Sequence, residues 1–447
     1  MTQYDVLVRG GTVVRQRGSG TADIAIAGER IAAIGPDLEG TATEEIDARG
    51  LWVFPGAVDA HVHFNEPGRA EWEGFATGTA ALAAGGTTTF CDMPLNASPP
   101  TLDGASFDLK RQAAEGQARV DFGLWGGLVP GNLEKLGELA ERGVVGLKAF
   151  MTSSGIDDFP MADDTTLRRG MARAAELELL VAVHAEDDAT ISDLTARFRE
   201  REGFSSIVNF LASRPVEAEV RAIRQAIAIA TSTGCRLHIV HVSSREGIDW
   251  VAQARGRYVD VSCETCPHYL ILTADDVERL GAVAKCAPPL RSNIDMGQMW
   301  SALAGGMVPM VASDHSPAPP GMKTGADFFA IWGGISGCQS TRQLLLAREG
   351  LDLQLIAALT SMNVARRFRL KGKGDITSGF DADLWIVDLD HEDVVRSKDL
   401  LYRNPFSPHE GQPIRGRTVR TIVRGKTVFA EGQVQPGSAG SLVTPTV

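Results

Sequence analysis

The chain has 447 residues, and its content of 44% hydrophobic and 22% charged residues is typical of a folded protein rather than a disordered one. At roughly 150 residues per domain, this length predicts about three domains. A net charge of −12 makes the backbone of a nucleic acid an unfavourable partner.

Both ends of the chain are predicted to be β-structure. Four segments carry β-branched runs: 4–14 around Gly10-Gly11, 22–34 around Gly28, 382–389, and 421–429. We expect hairpins there, because glycine between such runs is typical of a tight turn. Isolated hairpins cannot bury one face each. The two ends are therefore predicted to share one small β-sandwich domain, formed by residues 1–52 and 371–447.

Between these ends, short apolar runs alternate with longer segments rich in Ala, Leu, Arg and Glu. The eight apolar runs are 51–63, 87–93, 119–126, 144–150, 179–185, 236–243, 258–264 and 308–315. Helical patterns lie between them, for example at 72–85, 133–142, 166–178 and 216–232. Strands that alternate with helices pair in parallel, and eight such repeats predict a (β/α)8 TIM barrel over residues 53–370.

An open, doubly wound α/β sheet is the structural alternative. Such a sheet normally carries a Gly-rich phosphate loop after its first strand, and no such loop follows the run 51–63. Residues 425–427, Gly-Lys-Thr, do not form a phosphate loop either, because Arg420 stands where that motif requires its first glycine.

Polar residues close several of the apolar runs. His61 and His63 close the first, and they face the same side because a strand has a period of two. The fourth, fifth, sixth and eighth runs end with Lys148, His184, His241 and Asp314. Singly, each has an ordinary structural explanation, such as a hydrogen-bonded core histidine or a capping aspartate. Together they would meet at the C-terminal mouth of a barrel, where barrel enzymes place their active sites.

Four histidines and one aspartate suit two divalent metal ions, most simply zinc. Lys148 is the exception, since an ammonium beside two dications would be repelled. A lysine that carries a carbamate derived from CO2 becomes instead an anionic bridge with two oxygens. This modification would explain a lysine within the cluster.

Three further motifs are predicted to form loops at the same mouth. We interpret Cys263–Tyr269 (CETCPHY) as scaffolding, because a redox or zinc-finger role would need an exposed thiol or a second cysteine pair. Residues 284–291 and 332–337 are rich in Gly and Pro, and such loops are suited to presenting backbone groups to a ligand.

These residues resemble the cyclic-amidase branch of the amidohydrolase superfamily, which includes dihydroorotases, hydantoinases and allantoinases. The resemblance spans the whole chain, and its most specific motif is Pro-Gly-x-Val-Asp-Ala-His-Val-His at 55–63. It implies that His61, His63 and Asp314 bind one metal and that His184 and His241 bind the other. Carbamylated Lys148 would bridge the two metals.

Within this branch the chain is most similar to allantoinases, at 66–79, 92–96, 213–215, 234–244, 263–269, 284–291, 313–323 and 332–340. Dihydroorotases usually carry an Arg and a His that bind the substrate carboxylate, whereas those positions are Asn65 and Ala318 here. Ser153 stands where hydantoinases commonly have Tyr, and Ala149 departs from the Cys frequent in allantoinases. A neutral cyclic ureide therefore fits better than dihydroorotate, because a buried cation facing a neutral ligand would be left unpaired.

The resemblance implies hydrolysis of the ring amide of allantoin to allantoate, a step of purine catabolism. A hydroxide bridging the metals would attack the ring carbonyl, and Asp314 would move its proton to the leaving nitrogen. Ser153 and the backbone of Ala287 and Gly333 would bind the substrate. The alternatives are another cyclic amidase, such as a dihydroorotase or a hydantoinase, a non-catalytic scaffold, or a structural metalloprotein. The scaffold is disfavoured because all six metal ligands are present. The structural metalloprotein is disfavoured because this set of ligands leaves a position for water at the metals.

The resemblance further implies a homo-oligomer, commonly a tetramer. The sequence contains no run of 18 apolar residues, so we expect no membrane partner. The N-terminal residues lack the pattern of a secretory signal, and the six cysteines are scattered as in reduced proteins. We therefore expect a cytoplasmic protein with a small-molecule substrate.

Overall fold

The structure is a computed structural model that describes residues 2–16, 18–200, 203 and 205–446. Its strands are β1 Gln3–Arg15, β2 Gly18–Ala27, β3 Arg30–Gly35, β4 Thr41–Asp47, β5 Trp52–Pro55, β6 Ala57–Val62, β7 Thr87–Asp92, β8 Asp121–Leu124, β9 Gly126–Gly127, β10 Leu147–Phe150, β11 Leu180–His184, β12 Arg236–Ile239, β13 Val261–Thr265, β14 Met310–Val311, β15 Leu384–Val394, β16 Pro413–Val423, β17 Lys426–Ala430 and β18 Gln433–Val434. Its α-helices are α1 Phe75–Ala84, α2 Gly104–Ala114, α3 Leu136–Glu141, α4 Asp164–Glu176, α5 Asp188–Arg199, α6 Ile207–Ser213, α7 Val216–Thr233, α8 Arg245–Gly256, α9 Pro267–Ile271, α10 Ala274–Leu280, α11 Asn293–Ala304, α12 Thr341–Leu346, α13 Leu353–Ala357 and α14 Asn363–Arg367. Within the described ranges, no helix has the length and apolar character needed to cross a membrane.

The two ends of the chain build one sheet, as predicted. Its strand order is β18-β17-β16-β15-β5-β1-β2-β3, and β4 pairs with β1. The first and last parts of the chain meet where β5 pairs antiparallel with β15. The buried side chains of this sheet form a hydrophobic core of their own, rich in Val and Ile. The bounds 1–52 and 371–447 stay a prediction, and residues 1, 17 and 447 lie outside the described part of the chain.

The barrel consists of parallel strands in two runs, β6-β7-β8 and β9 to β14. The strands β8 and β9 are the two halves of one barrel strand, divided at Trp125, and β8 pairs with β7 while β9 pairs with β10. A bridge between Val62 and His315 joins the first strand to the segment after the last one. The eight predicted runs supply these strands in order, so the prediction of a (β/α)8 barrel is confirmed.

Two local predictions need correction. Residues 4–14 are not a hairpin but one strand, β1, with a bulge between Val8 and Gly11, where Gly10 has φ +66°. The bulge adds a residue without ending the pairing with β2, so a glycine pair does not have to turn the chain. The run 51–63 is likewise two strands, β5 in the terminal sheet and β6 in the barrel. They separate at Gly56, where a Cβ atom would lie 2.1 Å from Thr88 Oγ1.

Lys373 connects the terminal sheet to the barrel. Its ammonium lies 2.5 Å from Asp121 on β8 and 2.8 Å from both Asp381 and Asp383, just before β15. Burial opposes its charge, but the three carboxylates together raise the pKa of Lys373.

We expect Lys373→Met to lower the free energy of unfolding by about 3–5 kcal/mol, because it removes the cation shared by three buried carboxylates. Asp121 and Asp381 keep Arg424 and Arg30 as partners, whereas Asp383 loses its ion pair. Urea denaturation measures this change. Lys371→Met, at an exposed neighbouring lysine, is the control and should be close to neutral. Equal unfolding midpoints for the two variants would contradict the proposed role of Lys373.

Candidate metal centre and active site

A cavity of about 340 Å3 opens at the carboxyl ends of the barrel strands. All nine residues that the sequence singled out line it: His61, His63, Lys148, Ser153, His184, His241, Ala287, Asp314 and Gly333. A volume of this size matches a pocket for a small molecule. Their convergence follows from the fold, because parallel barrel strands present their carboxyl ends at one face.

Short β-strands and the turns just after them place the ionisable groups. His61 and Lys148 lie within β6 and β10, and His184 is the last residue of β11. His241 and Asp314 follow β12 and β14 in the left-handed region, at φ 40° and 45°. Non-glycine residues rarely adopt this conformation, and it clusters at functional sites.

His61, His63 and Asp314 form the first group of possible metal ligands. His61 Nε2 lies 3.1 Å and His63 Nε2 lies 3.5 Å from Asp314 Oδ1. One donor atom from each residue falls within 4.8 Å of the others. Two imidazoles and a carboxylate converging in this way can hold one divalent cation.

His184 and His241 form the second group. His184 Nδ1 lies 3.1 Å from His241 Nε2, and these two nitrogens face each other across a buried space. Lys148 Nζ is completely buried beside them, 5.0 Å from the centre of the Phe150 ring. Among the residues that the structure describes, this amine has no hydrogen-bond partner. A buried and unpaired polar atom in a cavity needs an explanation, and a missing ligand supplies one.

The protonation states suit metal binding. Burial lowers the pKa of His63 to about 4 and that of His241 well below its usual range, so both imidazoles are neutral. Burial opposes ionisation of Asp314, but the nearby His61 and His63 side chains hold its pKa well below the ordinary value. Burial also lowers the pKa of Lys148 to about 8. Neutral imidazole and ionised carboxylate are the forms that bind metals.

Buried carboxylates that the sequence analysis missed orient these histidines. Glu264 on β13 accepts a 2.5 Å hydrogen bond from His61 Nδ1 and lies 3.1 Å from His238 Nε2. Glu186 lies 2.7 Å from His184 Nε2 and also pairs with Arg214. Such contacts leave the opposite ring nitrogen facing the cavity and fix each imidazole. His238, which had no role in the sequence analysis, therefore belongs to this outer layer.

A period of two could have indicated one of these carboxylates. Glu186 stands two residues after His184, as His63 stands two after His61. Glu264 lies within CETCPHY, whose first three residues belong to β13, so the prediction of a loop is wrong for this part of the motif. All six cysteines are buried and free of disulfides in the described part of the chain, which agrees with a structural role.

Asp314 also belongs to another possible set of metal ligands, with Cys266 and His268. One donor atom from each of these three residues lies within 4.8 Å of the others. Neither Cys266 nor His268 lines the cavity, whereas His61 and His63 both do. Asp314 therefore fits better with His61 and His63 than with this group.

The two positions that correspond to the carboxylate-binding residues of dihydroorotases are not part of the cavity wall. Asn65 and Ala318 are fully buried and do not line the cavity, so neither faces a ligand. Two other cations, Arg214 and Lys285, do line it. Both are already bound, Arg214 to Glu186 and Lys285 to backbone carbonyl groups. Apart from the unpartnered amine of Lys148, the cavity thus offers no free cation among its described side chains, which suits a neutral ligand.

This barrel with converging metal-ligand groups defines a metal-dependent hydrolase of the amidohydrolase type. The amidohydrolase family profile matches residues 52–428, and the chain belongs to this family. It is 56% identical over 100% of its length to a protein named allantoinase from Rubrobacter xylanophilus, 98% of which is covered. It is 47% identical to an allantoinase from Deinococcus radiodurans, with 99% of each chain covered.

Solved structures support the same assignment. The L-hydantoinase (dihydropyrimidinase) from Arthrobacter aurescens has a TM-score of 0.95 at 33% identity, covering 99% of this chain and 100% of that one. The dihydropyrimidinase from Brevibacillus agri has a TM-score of 0.90 at 33% identity, with 97% of each chain covered. The predicted membership in the cyclic-amidase branch is confirmed.

Proposed function

We propose that this protein hydrolyses the cyclic amide bond of allantoin to give allantoate. The observation that carries the proposal is the complete set of metal-ligand candidates around one cavity, in a chain related over its full length to proteins named allantoinase. Because the chain is also 33% identical to the L-hydantoinase from Arthrobacter aurescens, hydantoin is the substrate to be compared with allantoin.

The residues present fit a pair of divalent cations, with zinc as the proposed metal. His61, His63 and Asp314 would hold one ion, and His184 and His241 the other. Lys148, whose buried amine is without a partner among the described residues, would bridge them as a carbamate. Bound divalent cations lower the pKa of water and polarise a carbonyl oxygen, which makes amide hydrolysis feasible at neutral pH.

The chain's own residues supply the proton transfer and the positioning. Asp314 is ionised and lies at the junction of His61 and His63, so it can accept a proton from the attacking water. As the new C–O bond forms and the ring C–N bond breaks, Asp314 passes that proton to the leaving nitrogen. The products are then a carboxylic acid, which ionises to the carboxylate by releasing its own proton to solvent, and an opened ring whose former amide nitrogen carries the proton from Asp314.

Ser153, Ala287 and Gly333 are proposed to bind the substrate. The Ser153 side chain is exposed to the cavity, and its small size leaves room that a larger residue would fill. Backbone groups of Ala287 and Gly333 would bind the ring amide. A Cβ atom added to Gly333 would have Lys285 O as its nearest neighbour, at 3.9 Å, so the fold does not itself require glycine there.

A side-by-side assay of allantoin, hydantoin and dihydroorotate on one metal-analysed sample tests the function. We expect kcat/KM for allantoin to exceed that for the other two by about 100-fold or more, since a site built for polar substrate groups rejects analogues that lack or alter them. About two metal ions per chain should be present. A chelator-treated sample is the control and should lose activity. Faster hydrolysis of hydantoin or dihydroorotate would overturn the substrate assignment.

Assembly is part of the same proposal. A homotetramer is what the resemblance implies, and light scattering of the purified protein tests it.

A further inference from the structure

Two buried lysines bind the main chain of one cavity wall. Loop 328–334 forms this wall, with Phe329, Ala330, Ile331, Trp332, Gly333 and Gly334 facing the cavity. The Lys285 ammonium donates hydrogen bonds to the carbonyl oxygens of Phe328 at 2.6 Å, Phe329 at 3.1 Å, and Ile331. It also lies 4.6 Å from the centre of the Phe210 ring.

Lys323 reaches the same loop from another segment. It ends a short 3-10 turn, Pro320–Lys323. Its ammonium donates to the carbonyl oxygens of Gly334 at 2.6 Å, Trp332 at 3.2 Å and Ala282 at 3.3 Å. Two separate ammonium groups thus bind backbone oxygens at both ends of the loop.

Backbone hydrogen bonds complete this connection. Gly334 N donates to Lys285 O at 2.8 Å, and Trp332 N donates to Met322 O at 3.1 Å. Lys285 is followed directly by Cys286 and Ala287, which also line the cavity. The backbone around Ala287 and Gly333 is therefore held as one unit.

Neither lysine is explained by an ordinary ion pair. Within the described ranges, no carboxylate lies within ion-pair distance of either ammonium, although both side chains are buried. Burying an ammonium is costly unless its three donors are satisfied. Here carbonyl oxygens satisfy them, and all but the Ala282 oxygen belong to the loop that faces the cavity.

We propose that Lys285 and Lys323 are positioning residues that hold loop 328–334 and the Ala287 segment in the arrangement that receives the substrate ring. The inference rests on the function proposed above for this cavity. The lysines act through the backbone they bind, since preorganised binding groups lower KM without taking part in bond breaking.

The charged surroundings give this arrangement a pH dependence. Burial lowers the pKa of Lys285 to about 8, with Arg214 lowering it further and Asp327 opposing. Burial lowers the pKa of Lys323 to about 7, where Lys285 also lowers it and Cys286 opposes. A deprotonated amine has two N–H donors for three carbonyl oxygens. The loop should therefore loosen, and KM should rise, as pH increases from 7 to 9.

Lys285→Met and Lys323→Met test the proposal, with Lys371→Met as the matched exposed control. We expect amide hydrogen exchange in 328–334 to accelerate about 10-fold or more in both variants, because charge-assisted hydrogen bonds are lost. Exchange in the barrel strands and metal content should match the parent. KM for allantoin should rise about 10-fold while kcat stays within about 3-fold. Lys285→Met should also lose the larger part of the rise of KM between pH 7 and 9, because the pKa of Lys285, about 8, lies in the middle of that range.

Unchanged exchange in 328–334 would overturn the proposal, as would faster exchange throughout the chain, which indicates a general folding role. If a Met variant does not fold, Lys285→Gln and Lys323→Gln undergo the same measurements, because an amide retains two donors. The exchange experiment needs no substrate. If the parent protein does not open the ring of allantoin, the proposed function is rejected. The hydrogen-exchange result still decides whether the two lysines hold the loop.

Discussion

Asp314→Asn should lower kcat for ring opening by about 10^3-fold or more while the protein keeps its metal. The amide has the shape of the carboxylate and retains an oxygen to act as a ligand, but it cannot accept the proton of the attacking water. General bases typically contribute about 10^2- to 10^4-fold to a rate. Steady-state kinetics together with metal analysis of the same sample measures both effects.

The position of Asp314 makes this experiment specific. It contacts both His61 and His63, so it is the described carboxylate best placed to serve a proton transfer at the first ligand group. Asp390→Asn, at an exposed aspartate of the terminal sheet, is the matched control and should leave kcat unchanged. A near-native rate for Asp314→Asn with full metal content would remove Asp314 from the proton transfer.

Lys148→Ala should lose most of the bound metal and, with it, activity. Lys148 is the proposed bridge between the two ligand groups, and its removal leaves three ligands on one side and two histidines on the other. Soaking the variant with a short carboxylic acid such as acetate should restore part of both, because a carboxylate supplies the two oxygens that a carbamate would have provided. Metal content and activity are measured at increasing acid concentration.

The same acid added to the parent protein and to Lys371→Ala controls for a general effect of the anion. Neither should gain activity. Normal metal content in Lys148→Ala without added acid would refute the bridging role. A mass increase of about 44 Da on Lys148 in the intact parent protein, the mass of one CO2, would support it independently.

Sequence patterns were sufficient for the residues that lie at strand ends. The period of two placed His61 and His63 on one face, and the repeated strand–helix pattern implied that Lys148, His184, His241 and Asp314 would meet at one mouth. This works because both regularities are local: each depends on a few neighbouring residues and on the handed, parallel geometry of a barrel.

The patterns failed where a contact joins distant strands. His61 and Glu264 are 203 residues apart, and their hydrogen bond exists because closing the barrel brings β6 and β13 into reach. Lysines are mostly exposed in folded proteins, yet Lys285 and Lys323 are both buried against carbonyl groups of a loop. No local pattern identifies which carbonyl groups a lysine will meet.

By itself the sequence determined the fold class, which follows from the alternation of strands and helices, and the branch of the family, which follows from the resemblance that its short motifs carry. It also supplied the candidate metal ligands at the strand ends. Only the tertiary structure decided that β1 bulges at Gly10 instead of turning, that Asn65 and Ala318 are buried outside the cavity lining, and that Glu186 and Glu264 orient the histidines. These outcomes depend on packing between segments far apart in the chain, where burial and hydrogen-bond satisfaction select one arrangement from many that the local sequence allows.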